Sequence, residues 1–488
     1  MKKVRVSRFN RREVLSALGA GTLALSNSRY LRAAQGIDVI VLGAGLSGLY
    51  TAMLLEEQGF RVAVLEASDH VGGRVQTRNF GGRLHELGAS DIGVMYARVL
   101  DMMNRLNLER VPSSIRIRPF SYYVGGQLVR ADQWESAAVN RTVGEERSIA
   151  PSSLERHFLG QFNPLKELDD WLLPENQSLD IPIGQYLQRQ GVSDEAIRLF
   201  GHTYNGIGMN RTSALSLFRD ATRTRFGIQA FMAMKAAGQD VAPLSQVKGG
   251  NQRLPEAMAA QLQRPVQLNK AVVAIDQTPG EIEVSCADGT AYSSRFLLST
   301  LPLPALRRIP MRPSLDGLQG EAVQELTYHK VFHAHLLVDK PFWKKRNLAP
   351  NLWTDGPLGR VMALDTRQQK DIRNLVVWAN GDGVDRFDRG SPADTERLIR
   401  GEIKKLYGTK GGFRIARMMS WQQEPFSGGA YITWRPGEVS RYAQVLARPH
   451  GRIHFAGEHT SLAFQGIEGA FESGERAAGE LLQRHRAI

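Results

Sequence analysis

Gly43, Gly45 and Gly48, in the run Gly43-Ala44-Gly45-Leu46-Ser47-Gly48, stand ahead of a carboxylate at Glu66. Residues of these types at this spacing can bind a dinucleotide pyrophosphate. Gly43 permits a tight turn, Gly45 lets the backbone approach phosphate, and Gly48 allows a helix to pack closely on a strand. The apolar strand Ile37-Asp38-Val39-Ile40-Val41-Leu42 leads into the turn, and a helix from Leu49 to about Gln58 follows it. A second strand, Arg61 to Leu65, ends on Glu66 and Ala67. Leu46 and Ser47 fall where the helix N-terminus offers N–H groups and partial positive charge to the phosphates. Glu66 is placed to accept both hydroxyls of an adenosine ribose.

A second group follows at once: Gly72-Gly73-Arg74 with Thr77, then His85-Glu86-Leu87-Gly88-Ala89-Ser90. Paired glycines bring bare backbone to phosphate, and the arginine supplies charge and a fork of donors. Here the chain resembles the flavin-containing amine oxidase family, which includes monoamine, polyamine and L-amino acid oxidases. The resemblance implies FAD rather than NAD, because that family carries a glycine–arginine phosphate clamp just after the ribose carboxylate.

Two C-terminal stretches extend the resemblance over about residues 37 to 485: Trp421-Gln422-Gln423-Glu424-Pro425-Phe426-Ser427-Gly428-Gly429-Ala430-Tyr431 and Phe455-Ala456-Gly457-Glu458-His459-Thr460. Gln465-Gly466-Ile467-Glu468-Gly469-Ala470 follows the second. By the resemblance, Trp421, Gly457 and Glu458 meet the flavin or its chain, and Val272 contacts the adenine through its backbone. Gly466 to Ala470 would open a last helix whose positive end points at the flavin ring and favours its anionic reduced form. Ala430 stands where covalent relatives keep a cysteine, so FAD is expected to be non-covalent. Tyr431 matches one wall of an aromatic substrate cage. The facing wall falls on Gly466, which has no ring, so Phe464 or Trp434 is left to fill the gap and a bulkier amine is expected. His333 takes the position of the family's flavin-facing lysine, whereas Lys330 is offset by an odd number of residues and would face the other way on a strand. Tyr204, beside His202 and Asn205-Gly206-Ile207-Gly208, is a further candidate for substrate contact.

These motifs need a discontinuous scaffold. Nucleotide-type segments at 37–105, 243–312 and 420–488 are separated by 106–242 and 313–419, which lack such signals. The expected fold is α/β: a discontinuous Rossmann-type FAD-binding domain interleaved with a mixed α+β substrate domain. Within it, Val266–Ile275 reads as a strand pair, followed by a hairpin from Val284 to Tyr292 around Asp288-Gly289 and the apolar run Phe296–Thr300. Spaced apolar residues over 150–235 predict a helical lobe. Pro392 to about Tyr407 reads as a helix capped by Ser391.

The chain has 488 residues and a formal charge of +13, of which residues 1–35 carry eight Lys and Arg against the single acid Glu13. The remainder is only mildly basic, which excludes a nucleic-acid binder built on a basic tract. Arg11-Arg12 precede a short apolar run, Val14 to about Leu25, so 1–35 reads as a twin-arginine export segment and the expected location is the periplasm. Neither Leu31-Arg32-Ala33 nor Arg32-Ala33-Ala34 makes a good cleavage site, so retention as an anchor stays open. Cys286 is the only cysteine, which excludes an intrachain disulfide and suits a protein that folds around its cofactor before export. No spacing implies a metal. The reaction expected from the resemblance is hydride removal from the carbon beside an amine nitrogen, then hydrolysis of the imine. Oxygen, a quinone or a cytochrome is the electron acceptor, and a homodimer is open. The competing readings are an FAD-dependent desaturase or isomerase of a lipid-like substrate and a non-catalytic flavoprotein.

Overall fold

The computed structural model describes residues 31–32, 36–114, 119–202, 206–364, 372–409 and 411–486. The export segment and Tyr204 therefore lie outside the described residues, apart from Leu31–Arg32.

Two sheets organise these residues. The first runs Met311–Arg312, Val272–Gln277, Ile282–Cys286, Thr290–Ser299, Ile37–Leu42, Val62–Leu65, with Leu31–Arg32 and Ile453–Phe455 also pairing to Thr290–Ser299. Ile37–Leu42 is a central parallel strand, which is why it reads as an unbroken apolar run. The register matters most at its end. Leu42 pairs with Leu65 and with Ser299, and Ser299 pairs with Phe455. Gly43, Glu66, Thr300 and Ala456 therefore leave the sheet in one row, at the carboxyl ends of parallel strands where open α/β sheets bind ligands.

The helix after the first strand spans Leu46–Glu57, not Leu49 onward, because Gly45 is still extended (φ −73°, ψ 175°) and serves as its N-cap. It packs against the last helix, Gly466–Arg486, where Ser47 Oγ meets Ser473 Oγ at 3.2 Å and Thr51 Oγ1 donates to the Gly474 carbonyl at 3.0 Å. The start and end of the chain are thus joined behind the glycine turn. The expected strand pair over Val266–Ile275 is a single strand, Val272–Gln277, preceded only by a bridge from Gln267 to Leu65. Asn269 breaks the extended run with a left-handed φ of +58°. The hairpin around Asp288-Gly289 forms with Val284 opposite Tyr292, and the Phe296–Thr300 run continues its second strand as far as Ser299.

The second sheet runs Phe413–Ser420, Val331–Val338, Asn374–Asn380, Arg360–Leu364, Asn351–Thr354, Phe120–Val124, Gln127–Val129. Its strands come from the two segments that lack nucleotide signals, with Phe413–Ser420 at the junction. Strand alternation gives it two apolar faces. Phe332, Ala334 and Leu336 join Ile399, Ile403 and Leu406 of the helix Pro392–Tyr407 in one core. Ser391 caps that helix, accepting from the Asp394 amide at 3.2 Å. Val331, His333 and His335 occupy the other face. The helical lobe consists of Leu154–Phe162, Ile183–Arg189, Asp194–Phe200 and Ala214–Ala236. No described helix is long and apolar enough to cross a membrane.

A side-chain carbon on Gly48 would stand 2.1 Å from the Gly43 carbonyl oxygen, which is backbone and cannot yield cheaply. Gly48→Ala should therefore destabilise the protein by about 1–3 kcal/mol, as overpacking does. A urea midpoint equal to wild type would show that the helix does not rest on the turn.

Candidate active site

One cavity of about 820 Å³ opens along the row of strand ends and continues between the two sheets. That volume lies within the range of cofactor and ligand pockets. Gly43, Gly45, Leu46 and Ser47 line it from the glycine turn, and Glu66 and Ala67 from the end of the second strand. Gly73, Arg74, Gly88, Ala89 and Ser90 line it from the segment that follows. Val272, Trp421, Gly457, Glu458, Gly466 and Ile467 close it from the distant parts of the chain. Gly48 does not reach the cavity; it is taken up by the packing of helix on turn.

The cradle fits an FAD. A side-chain carbon on Gly45 would meet nothing within 4 Å, so its absence leaves space on the cavity side of the helix N-terminus. Gly72 and Gly73 have φ of +109° and +56°, and a carbon on Gly73 would lie 3.7 Å from the Gly45 Cα. The two glycine-rich loops therefore touch, presenting two backbone surfaces to the same phosphates. Three donors aim the Glu66 carboxylate. The Ala44 amide gives 2.8 Å to Oε2, while the Ser68 amide and hydroxyl give 2.9 and 2.8 Å to Oε1.

Arg74 crosses the cavity wall. Its Nη1 donates to the Ala430 carbonyl at 2.7 Å and to Glu458 Oε2 at 3.2 Å. Glu458 Oε1 accepts from the Ile432 amide at 3.3 Å. Burial raises the pKa of the Glu458 carboxyl, and Arg74 opposes that shift. Tyr431, between the two bonded residues, lines the cavity and stacks on His329 with ring centroids 5.0 Å apart. Burial pushes its phenol pKa upward, so the hydroxyl keeps its proton.

His333 also lines the cavity, from the Val331–Val338 strand. Burial, aided by the Arg360 guanidinium, takes its imidazole down to about 3, with the Leu87 carbonyl opposing. The ring is neutral at ordinary pH. Lys330 does not line the cavity and pairs with Asp385 at 2.6 Å. Two expected substrate contacts are not brought to the wall. Trp434 is buried in the core, edge-on to Trp171 at 6.0 Å, and Phe464 packs toward Tyr96 at 6.4 Å. The gap at Gly466 is therefore filled by neither: a carbon there would meet nothing within 4 Å. Trp378, which the sequence did not single out, supplies an aromatic wall and sits edge-on to His333 at 4.2 Å. It faces His333 across a pairing of two strands that the sequence alone does not reveal. Cys286 does not line the cavity, and burial pushes its thiol up to about 11. Among the described residues no group of three or more His, Cys, Asp or Glu could hold a metal.

Residues 46–482 match the profile of the flavin-containing amine oxidoreductases. Flavin-containing amine oxidase B of Cavia porcellus is 25% identical over 471 residues, covering 91% of this chain and 86% of that one. Flavin-containing amine oxidase A of Bos taurus is 25% identical over 472 residues, with 92% and 86% covered. Among solved structures, cyclohexylamine oxidase from Brevibacterium oxydans IH-35A superposes with a TM-score of 0.75 at 21% identity, covering 93% of this chain and all of that one. Putrescine oxidase bound to putrescine gives a TM-score of 0.72 at 23% identity, with 93% and 100% covered.

Glu66→Ala should weaken FAD binding roughly ten- to a hundredfold, the loss of charge-assisted hydrogen bonds worth about 1.5–3 kcal/mol. Titration of apoprotein by flavin fluorescence measures it. An unchanged dissociation constant would place the ribose elsewhere.

Proposed function

The chain belongs to the flavin-containing amine oxidoreductases, enzymes that use FAD, and from that premise we propose that it converts an amine to an imine that water then hydrolyses. Bound FAD would accept the hydride from the carbon beside nitrogen. The observation that carries the reading is the pairing of an FAD cradle with Tyr431, Trp378 and His333 in one cavity. Tyr431 and Trp378 give flat apolar surfaces that fix the substrate carbon in place. The neutral His333 adds no positive charge to the wall, and the Arg360 guanidinium that acts on it also favours an unprotonated, reactive amine. Gly466 leaves the wall open, and the substrate we propose is bulkier than a simple arylalkylamine. A ring added at Gly466 would meet a φ of +64°, a backbone conformation that resists any side chain.

The test is anaerobic mixing with a panel of amines, including cyclohexylamine, putrescine and benzylamine, followed at the flavin band. One or more amines should bleach it, and readmitted oxygen should restore it with about one peroxide per flavin. Tyr431→Ala should slow bleaching by about tenfold or more while leaving the FAD spectrum unchanged, since orientation is lost and cofactor contacts are not. Failure of every amine to bleach the flavin would remove the amine reading, and wild-type bleaching by Tyr431→Ala would remove that residue from the substrate wall.

We also propose that the flavin is held without a covalent bond and that the holoprotein is exported to the periplasm. The first rests on Ala430, whose methyl group offers no bond where it borders the cavity. The second rests on Arg11-Arg12 and on a chain with a single cysteine. Acid precipitation should leave the yellow colour in solution. Replacing Arg11 and Arg12 by lysine should strand active enzyme in the cytoplasm; unchanged periplasmic activity would refute the export proposal.

A further inference from the structure

We propose that His333, His335 and His85 form a buried proton relay running from the wall of the flavin cavity into the Thr77–Phe80 and Arg83–Glu86 hairpin. His333 and His335 lie two residues apart on the Val331–Val338 strand and so share the face turned toward the cavity. Their ring centroids are 6.0 Å apart at 85°. His335 Nδ1 then lies 3.1 Å from His85 Nδ1. All three rings are buried, at 4%, 1% and 1% exposure. The Nε2 atoms of His335 and His85 have no hydrogen-bond partner, and His333 has only the Leu87 carbonyl nearby.

An Nδ1-to-Nδ1 hydrogen bond requires opposite tautomers: one ring carries its proton on Nδ1, the other on Nε2. Passing a proton through the pair exchanges those tautomers and leaves both rings neutral. The surroundings keep them so. Burial takes His85 to about 4 with Arg83 adding to the effect, and it takes His335 well below its ordinary value with His333 and His85 adding. Arg360 faces His333, the Leu87 carbonyl approaches it, and Trp378 covers it edge-on. Across the ladders, Arg417 stands in register with His335 and Arg78 with His85; Arg417 is exposed and Arg78 half-buried. Neutral rings with one donor and one acceptor nitrogen relay protons without storing charge. Apolar side chains would fill the same space without burying unpaired polar nitrogens, so packing alone does not account for the row.

The reaction needs such a path, and this part rests on the amine reading. An amine arriving as R₂CH–NH₃⁺ must lose one proton, with no change of electrons, to give R₂CH–NH₂. Loss of hydride then leaves R₂C=NH₂⁺. In the return step oxygen takes two electrons and two protons to become hydrogen peroxide. Bound FAD, once reduced, would provide the electrons and one proton, and the other proton would come from solvent. His333 would exchange the proton at the cavity wall, and His335 and His85 would pass it outward or inward.

The experiment uses holoenzyme reduced by light without any amine, then mixed with oxygen in weak buffer containing a pH dye. Flavin recovery and proton uptake are followed together, in water and in deuterium oxide. Wild type should take up its proton in step with flavin recovery. His335→Leu and His85→Leu, with FAD content and melting temperature as controls, should slow both signals about tenfold or more and raise the solvent isotope effect; His335→Gln serves if the leucine variants do not fold. Wild-type rates and isotope effects in the folded variants would overturn the proposal. A second readout needs no turnover: ¹⁵N spectra of histidine-labelled oxidised holoenzyme should show one proton shared between two Nδ1 atoms, and its absence from wild type would also overturn the proposal. Because no amine enters either measurement, failure of the proton path is distinguishable from failure of the amine reading.

Discussion

Arg74 joins parts of the chain that the sequence keeps far apart. From one nitrogen it donates to Ala430, 356 positions away, and to Glu458, 384 positions away. A buried ion pair of this kind adds little net stability, because desolvation offsets most of the attraction, yet losing one partner leaves a buried charge unanswered. Its effect here is on geometry. Ala430 is fixed through its carbonyl and Ile432 through its amide, so Tyr431 is held on both sides. The loop that presents Arg74 also lays Gly73 against Gly45. The guanidinium thereby ties the phosphate cradle to the Tyr431 segment, which the His329 backbone holds from its other side.

The second sheet completes the site by strand alternation. Residues at 332, 334 and 336 are absorbed by the core beneath the Pro392–Tyr407 helix, which leaves 331, 333 and 335 to face the other way. Two histidines on that face would be expensive in a purely structural sheet. His333 and Trp378 make the part of this sheet that lines the cavity aromatic and neutral, and His335 lies beside them without reaching it. The first sheet lines the cofactor cradle, and the second lines the wall that continues from it.

What could be read from the sequence divides along the range of the interactions. The turn from Gly43 to Glu66 was legible because every part of it is local, and only the helix start moved, to Leu46, because a glycine cap gives no side-chain signal. The Ser391–Pro392 start was legible for the same reason, as a cap and a first-turn proline are defined within a few residues. Asn269 hid a break that no apolar pattern reveals. Trp434 and Phe464 were nominated by proximity in sequence to Tyr431 and Gly466, but their rings turn into packing with Trp171 and Tyr96. Trp378 and the His335–His85 contact depend on pairing between strands and hairpins far apart in the chain, which one sequence cannot register.

The Arg74–Glu458 contact is the link that assembles the cofactor site. A double-mutant cycle of Arg74→Met and Glu458→Gln, read as the FAD dissociation constant of the apoprotein, tests it most directly. Coupling of about 1 kcal/mol or more is expected, with the double variant binding FAD little worse than the weaker single variant. Losses that simply add would contradict it, and would mean that Arg74 and Glu458 reach the cofactor independently.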